Sequence, residues 1–325
     1  MYIRPLKVGQ LQLANNLIQG PLAGYSCAPF RLITHRLGQP AYCTTEMISA
    51  KDLIHRSVKP KRYLWKDPAE GLVSYQLSGD NPQDIATATK IVTDVGASLI
   101  DLNCGCPVAK IRAKGAGSKL LTEPNKIAAL VLAAKANTQV PVSVKIRIDS
   151  VSGDNNNLRV VKAIEEAGAD LLIVHGRHWT EKYDKPCNLE QIAEIVACCK
   201  IPVIANGDIE DIASLKHTFA VTNCAGLMIA RASVGQPWLF RQLQLELTGQ
   251  RFIFPSITEI GAIYLEHIQR LAELETEFLA VIQARKLAKY YIRQHFNGYE
   301  FQQQLNNCTS LIAFEKLVKD YFNND

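Results

Sequence analysis

The chain is predicted to be an α/β protein, a (β/α)8 TIM barrel followed by a small all-helical domain. Three observations lead there. Short apolar runs alternate with longer amphipathic stretches eight times. Polar, ionisable or glycine residues gather at the same end of all eight runs, where a barrel carries its reactive face. Beyond Trp238 no further strand-like run is readable and only helical periodicity remains.

The eight runs are Asn16–Leu22, Ala41–Glu46, Leu72–Leu77, Ser98–Leu102, Val142–Ile146, Leu171–Val174, Pro202–Ala205 and Gly226–Ile229. They are continuous and rich in β-branched residues, as parallel strands covered on both faces should be. Between them lie helical patterns such as Pro82–Val95, Pro124–Ala136, Leu158–Ala167, Leu189–Cys199 and Asp211–Phe219. Pro82 and Pro124 suit first-turn positions, and Gly96 and Gly168 suit helix ends. A doubly wound sheet competes, but it would normally show a glycine-rich dinucleotide turn after its first strand, and none is present. A connector holding Arg251 and Pro255 leads to three helical patterns, Ile257–Leu274, Glu277–His295 and Ser310–Phe322. The expected division is a barrel over 1–244 and a helical domain over 245–325.

Composition limits the function classes. With 325 residues, 47% hydrophobic and 21% charged, the chain is an ordinary globular protein. No apolar run approaches the roughly 18 residues that span a bilayer, and the N-terminus lacks a secretory h-region, so a cytoplasmic location is expected. Nine cysteines, an odd number, suit reduced thiols. None has zinc spacing, so no metal is expected. A net charge of +5 permits an anionic partner such as RNA without demanding one.

The strand ends carry the candidate chemistry. Lys145 lies inside the apolar run Val142–Ile146. An unpaired ammonium there is costly, so it either faces a ligand, of which a reduced flavin with its anionic pyrimidine portion is an example, or pairs with Glu46 or Asp101. Asn206-Gly207-Asp208 and Ala230-Arg231 end runs seven and eight, the usual barrel phosphate site, although Asn-Gly-Asp alone is also an ordinary turn. In Asn103-Cys104-Gly105-Cys106-Pro107, glycine and proline force a turn that lifts Cys106 above the barrel mouth, where a thiol acts as acid or nucleophile. Two buried structural cysteines are the alternative. His175 ends run six, and the Gln76 amide suits a heterocycle edge. Lys110, Arg112 and Lys114 precede Gly115-Ala116-Gly117-Ser118, which reads as a basic, mobile loop. Arg285, Lys286, Lys289 and Arg293 recur at helical spacing as a basic stripe, or as a plain solvated face. Met47 and Phe30 read as core.

These motifs, taken in order, resemble the flavin-dependent tRNA-dihydrouridine synthases, nearest the bacterial B subgroup. The resemblance runs through Gly20-Pro21-Leu22-Ala23-Gly24, Thr45-Glu46-Met47, Asp101–Pro107, Lys145-Ile146-Arg147, His175-Gly176-Arg177, Ile204–Asp208 and Met228–Arg231. It implies an FMN-binding barrel that reduces uridines of the tRNA D-loop to dihydrouridine with NADPH. By position it implies that Pro21, Leu22, Ala23, Gln76, Lys145, His175, Asn206, Gly207, Asp208, Ala230 and Arg231 hold FMN. It also implies that Cys106 protonates uracil C5 and that Asn103 and Arg147 hold the base. Two departures are small: Gly20-Pro21-Leu22 stands for the usual Ala-Pro-Met, and Ala230-Arg231 for Gly-Arg. Lys110, Arg112, Lys114 and the stripe Arg285, Lys286, Lys289, Arg293 are expected to touch tRNA phosphates. No obligate protein partner is expected, and the chain is expected to be a monomer. Two alternatives remain. A flavin-dependent reductase of a small molecule such as a free pyrimidine leaves the helical tail without a role, and a non-enzymatic tRNA-binding protein leaves the thiol without one.

Overall fold

The computed structural model describes residues 2–55, 61–149, 156–293 and 298–322. In chain order the first strands are β1 (Leu6–Val8), β2 (Leu11–Leu13) and β3 (Leu17–Gln19). After α1 (Ala28–Gly38) come β4 (Cys43–Thr44), β5 (Ile48–Ser49), α2 (Ala50–His55) and α3 (Lys61–Leu64). The barrel continues as β6 (Val73–Ser78), α4 (Pro82–Asp94), β7 (Leu99–Cys104), α5 (Ala109–Arg112), α6 (Pro124–Lys135), β8 (Val142–Arg147) and α7 (Asn156–Glu166). It ends with β9 (Leu171–His175), α8 (Leu189–Cys198), β10 (Val203–Asn206), α9 (Ile212–Thr222), β11 (Gly226–Ile229) and α10 (Leu239–Leu247). Four helices follow: α11 (Ile257–Leu274), α12 (Glu277–Tyr291), α13 (Gly298–Asn307) and α14 (Leu311–Phe322).

The parallel strands close as β3-β4-β6-β7-β8-β9-β10-β11 and back to β3. The predicted TIM barrel is therefore present. Its strands lack polar alternation because both faces are buried. Ile18, Leu99, Leu171, Ile173, Ile204 and Met228 pack into one inner cluster, while Ile100, Leu102, Val142, Val144, Leu172 and Val174 pack outward under the helices. Such double burial is what a parallel sheet requires. The helix starts follow their chemistry: the Asn81 side chain accepts from Gln83 N and Asp84 N ahead of Pro82, and Asp211 and Ser214 form a capping box on α9.

Three features depart from the sequence-based reading. The hairpin β1–β2, paired Leu6 to Leu13, joins the inner cluster and was not foreseen. Three-residue strands are too short to show a period. The second run breaks: β4 pairs with β6 at Cys43–Val73, the chain leaves the sheet at 45–47, and β5 rejoins it at Ile48–Leu77. A fourth C-terminal helix, α13, buries only Phe301 and Leu305, which is too thin a stripe to read. The expected helix end at His295 lies outside the described residues.

The helical region has its own core around Tyr264, which stacks on Tyr291 at 4.6 Å and meets Phe314 edge-on at 5.2 Å. That core also takes in Cys27 and Phe30 near α1, and Val234 and Trp238 after β11. The 244/245 division falls in the last turns of α10. Arg62 spans the junction, ion-paired to Glu46 at 2.7 Å and to Glu275 at 2.6 Å. Among the described residues no helix is long and apolar enough to cross a membrane, and no group of His, Cys, Asp and Glu is arranged to hold a metal.

Candidate active site

The C-terminal strand ends surround a cavity of about 400 Å³. Every residue singled out for flavin, together with Asn103, Cys106 and Arg147, lines it. Strand alternation puts those side chains inside the mouth, and the turns after the strands bring backbone to its rim.

The β6 and β7 ends form one hydrogen-bonded chain. Asp101, almost fully buried, accepts from Gln76 Nε2 at 2.7 Å and from Ser143 Oγ at 2.7 Å. Gln76 Oε1 accepts from Asn103 Nδ2 at 2.8 Å. Asn103 Oδ1 in turn accepts from the backbone N–H of Cys106 at 2.9 Å. Because a carboxylate only accepts, Asp101 orients the Gln76 amide, and Gln76 orients Asn103. Burial pushes the Asp101 carboxyl up to about 6, against the opposing hydrogen bonds and the Lys145 charge.

Cys106 is half-buried at the rim, whereas Cys104 is fully buried and burial pushes its thiol well up. The two sulfurs thus sit in different surroundings, one sealed in the strand and one open to the cavity. Gly117 backs Cys106 closely: a Cβ there would lie 2.6 Å from the Cys106 carbonyl oxygen. The same carbonyl accepts from Ser118 N at 3.0 Å. This corrects the reading of 115–118 as a mobile loop, because Ala116, Gly117 and Ser118 are buried beneath the Cys106 turn. Small residues there serve close packing, not motion.

Lys145 donates to Asn206 Oδ1 at 2.9 Å. Burial lowers its pKa to about 8, against the pull of Asp101. Neither candidate carboxylate takes it as a hydrogen-bond partner: Glu46 is held by Arg62 and by the Gly24 N–H, and Asp101 by Gln76 and Ser143. The ammonium is left with protons for the cavity. Arg147 Nη1 donates to the His178 carbonyl at 2.9 Å.

At the far strands, Gly207 (φ +129) and Asp208 (φ +51) turn the chain sharply. Asp208 takes Arg177 at 2.5 Å and Arg231 at 3.4 Å. Arg231 lies 3.8 Å over the Tyr183 ring. Burial and the charges of Lys145, Arg147, Arg177 and Arg231 hold His175 far below the usual histidine range, so its ring is neutral.

Sequence reasoning missed three participants. Tyr183, largely exposed, lines the cavity from a loop with no periodic signal. Arg177, beside His175 in sequence, finds its partners in the Lys185 carbonyl and Asp208, which no local pattern marks. Met47 also lines the cavity, which corrects its assignment to the core: the break between β4 and β5 turns it into the mouth. Phe30 is core as expected.

The basic candidates divide. Lys110 and Lys114 are exposed around α5. Arg112 is half-buried, donating to Ser118 Oγ at 2.9 Å and lying 3.4 Å over Trp179. On α12, Lys286 sits 3.7 Å over Tyr25, and Lys289 and Arg293 flank Tyr290 at 4.9 and 5.5 Å. Arg293 also donates to the Val234 carbonyl at 2.9 Å. Arg285 leaves this stripe and donates to the Cys308 carbonyl at 2.8 Å, because it falls on the side of α12 that packs toward α13.

The chain is similar to known proteins along nearly its whole length. The family described as "Dihydrouridine synthase (Dus)" matches residues 18–324. "tRNA-dihydrouridine synthase B" of Pectobacterium carotovorum is 32% identical over 98% of this chain and 99% of its own length. The protein of the same name from Pseudomonas putida is 35% identical over 95% and 94%. Among solved structures, a variant of NCR from Zymomonas mobilis superposes with a TM-score of 0.56 at 13% identity, covering 79% of this chain and 94% of that one. Histamine dehydrogenase from Rhizobium sp. 4-9 gives 0.54 at 15% identity, covering 87% and 50%. These two share the fold. With the match running from β3 to the end of α14, the chain belongs to the dihydrouridine synthase family of enzymes.

Proposed function

We propose that the protein reduces the 5,6 double bond of uridines in the D-loop of tRNA to dihydrouridine, using FMN and NADPH, and that it works as a cytoplasmic monomer without an obligate protein partner. The observation that carries this reading is the sharing of one cavity by a rim thiol, Cys106, and a half-buried ammonium, Lys145, that has protons free for a ligand. The residues present suit FMN. The volume lies within the roughly 300–1,000 Å³ of cofactor sites. Pro21, Leu22 and Ala23 give an apolar wall. Gln76, Lys145 and His175 give polar groups for a heterocycle edge. Asn206, Gly207, Asp208, Ala230 and Arg231 give a glycine-opened turn and a cation for a phosphate.

When bound and reduced by NADPH, the flavin supplies the hydride that uracil C6 receives. Cys106 donates its thiol proton to C5, and solvent later restores it. Asn103 and Arg147 would orient the base, and Lys145 would supply a positive charge to an anionic cofactor held in the cavity. Protonation at C5 is unfavourable without hydride at C6, so the two transfers support one another. A uridine in a folded tRNA must leave its stack to reach the mouth. Lys110, Lys114, Lys286 and Lys289 present exposed charge for its phosphates, with Arg112, Arg285 and Arg293 tying those surfaces to the fold.

The test is anaerobic. Reduced enzyme is mixed with tRNA lacking dihydrouridine, and the return of oxidised flavin is followed. Rapid reoxidation by tRNA but not by free uridine is expected. No reoxidation by tRNA, with flavin bound, moves the protein to small-molecule reduction. Cys106→Ala should accept electrons from NADPH normally and form almost no product; near-normal product removes Cys106 from the mechanism.

A further inference from the structure

We infer that Arg177 is a positioning residue that fixes which nitrogen of His175 carries the ring proton, so that His175 offers the cavity a donor, Nδ1–H. The argument starts from what a guanidinium is able to do. Arg177 is 1% exposed, and its donors are directed at three acceptors. Nε donates to the Lys185 carbonyl at 2.7 Å, Nη2 to Asp208 Oδ2 at 2.5 Å, and Nη1 lies 3.2 Å from His175 Nε2. Arginine has five N–H donors and no acceptor, and it stays protonated in proteins. His175 Nε2 must therefore accept, which leaves it without a proton and places the ring proton on Nδ1.

The surroundings fix the rest. The ring is 8% exposed and lies near-parallel to Tyr183, with centroids 6.3 Å apart. Gly207 leaves room against its edge, since a Cβ there would lie 3.2 Å from His175 Cδ2. Lys145 and Arg147 on β8, Arg177 after β9 and Arg231 after β11 all oppose a charged ring. Nδ1 has no partner among the described residues, and His175 lines the cavity. The cavity occupant facing it must therefore present an acceptor, a carbonyl or phosphate oxygen or an unprotonated ring nitrogen. A neutral imidazole N–H is a poor acid, so His175 binds and does not protonate, which leaves that role to Cys106. The identification of the acceptor as part of FMN rests on the proposed function; the tautomer does not.

The test is spectroscopic. The protein, which has seven histidines, is labelled with 15N-histidine, and long-range proton–nitrogen spectra are recorded with and without FMN. The His175 signals are assigned by their loss in His175→Gln. The expected result is a neutral Nδ1–H ring from pH 6 to 8. An Nε2–H ring or an imidazolium in the native protein overturns the inference. Arg177→Met, which removes the donors at similar length, should shift the ring toward Nε2–H and raise the FMN dissociation constant about tenfold, the weight of one buried hydrogen bond. A folded Arg177→Met with an unchanged tautomer also overturns it. Should that variant not fold, the native spectrum alone decides. A native Nδ1–H ring in a protein that binds no FMN upholds the tautomer and refutes the flavin reading.

Discussion

Gly117→Ala tests whether Cys106 must be held where it is. Gly117 has φ +61, and an added Cβ would lie 2.6 Å from the Cys106 carbonyl oxygen and 3.1 Å from both Cys106 Cβ and Ile111 Cγ2. The left-handed backbone alone costs alanine about 1–2 kcal/mol. The contact adds a displacement: close-packed atoms do not tolerate such an approach, so the carbonyl must retreat by about 0.5 Å or more. Ser118 N holds that carbonyl at 3.0 Å, so the Cys106 turn moves with it. A misplacement of about 1 Å costs a catalytic group about 10²-fold, which sets an expected loss of roughly 10- to 100-fold. The assay separates the half-reactions. Flavin reduction by NADPH should keep its native rate, and reoxidation by tRNA lacking dihydrouridine should slow. Gly249→Ala is the control, since Gly249 has φ +74 and nothing within 4 Å of its Cβ position. It should lower stability without slowing reoxidation. Native reoxidation in folded Gly117→Ala refutes the claim that backbone packing places the thiol.

The remaining predictions concern stability and tRNA. Arg31 and Glu70 form an ion pair at 2.7 Å with both side chains 1% exposed. Arg31→Ala strands a buried carboxylate and should cost about 3–5 kcal/mol in urea unfolding, whereas a surface-sized loss below ~1 kcal/mol contradicts the pairing. Asp101, raised to about 6, binds a proton in the folded state that the unfolded chain releases near pH 4. Stability from this group therefore rises as pH falls from 6 to 4, and Asp101→Asn should flatten that window; an unchanged pH slope counts against a buried ionised carboxylate. Lys289 is exposed beside Tyr290, so Lys289→Ala should reduce the salt slope of tRNA affinity by about one, and an unaltered slope removes it from the tRNA surface.

The barrel was legible in the sequence because burial on both faces leaves continuous apolar runs, and eight of them leave few architectures. The end of the barrel that carries the cavity was legible too. Lys145 inside an apolar strand and the Asn103–Pro107 turn break local rules, and such breaks mark where a fold gives up stability for chemistry. Hydrophobic periodicity failed where elements were too short or too polar, as with the β1–β2 hairpin and α13.

What the sequence determined by itself was therefore which side chains avoid water and at which strand end the polar ones collect. Only the tertiary structure decided who partners whom. Glu46 was a reasonable counter-ion for Lys145 until Arg62 was found bridging it to Glu275. Arg285 belonged to the basic stripe until Cys308, 23 residues on, took its guanidinium. Met47 read as core until the β4–β5 break turned it into the barrel mouth. The state of His175 depends on Arg177, and the place of Arg177 depends on Asp208, 31 residues away. Exclusion from water is a property of each residue in its local pattern. Hydrogen bonds and ion pairs are short and directional, and they form only after distant segments have been brought within a few ångströms by the packing of the whole barrel.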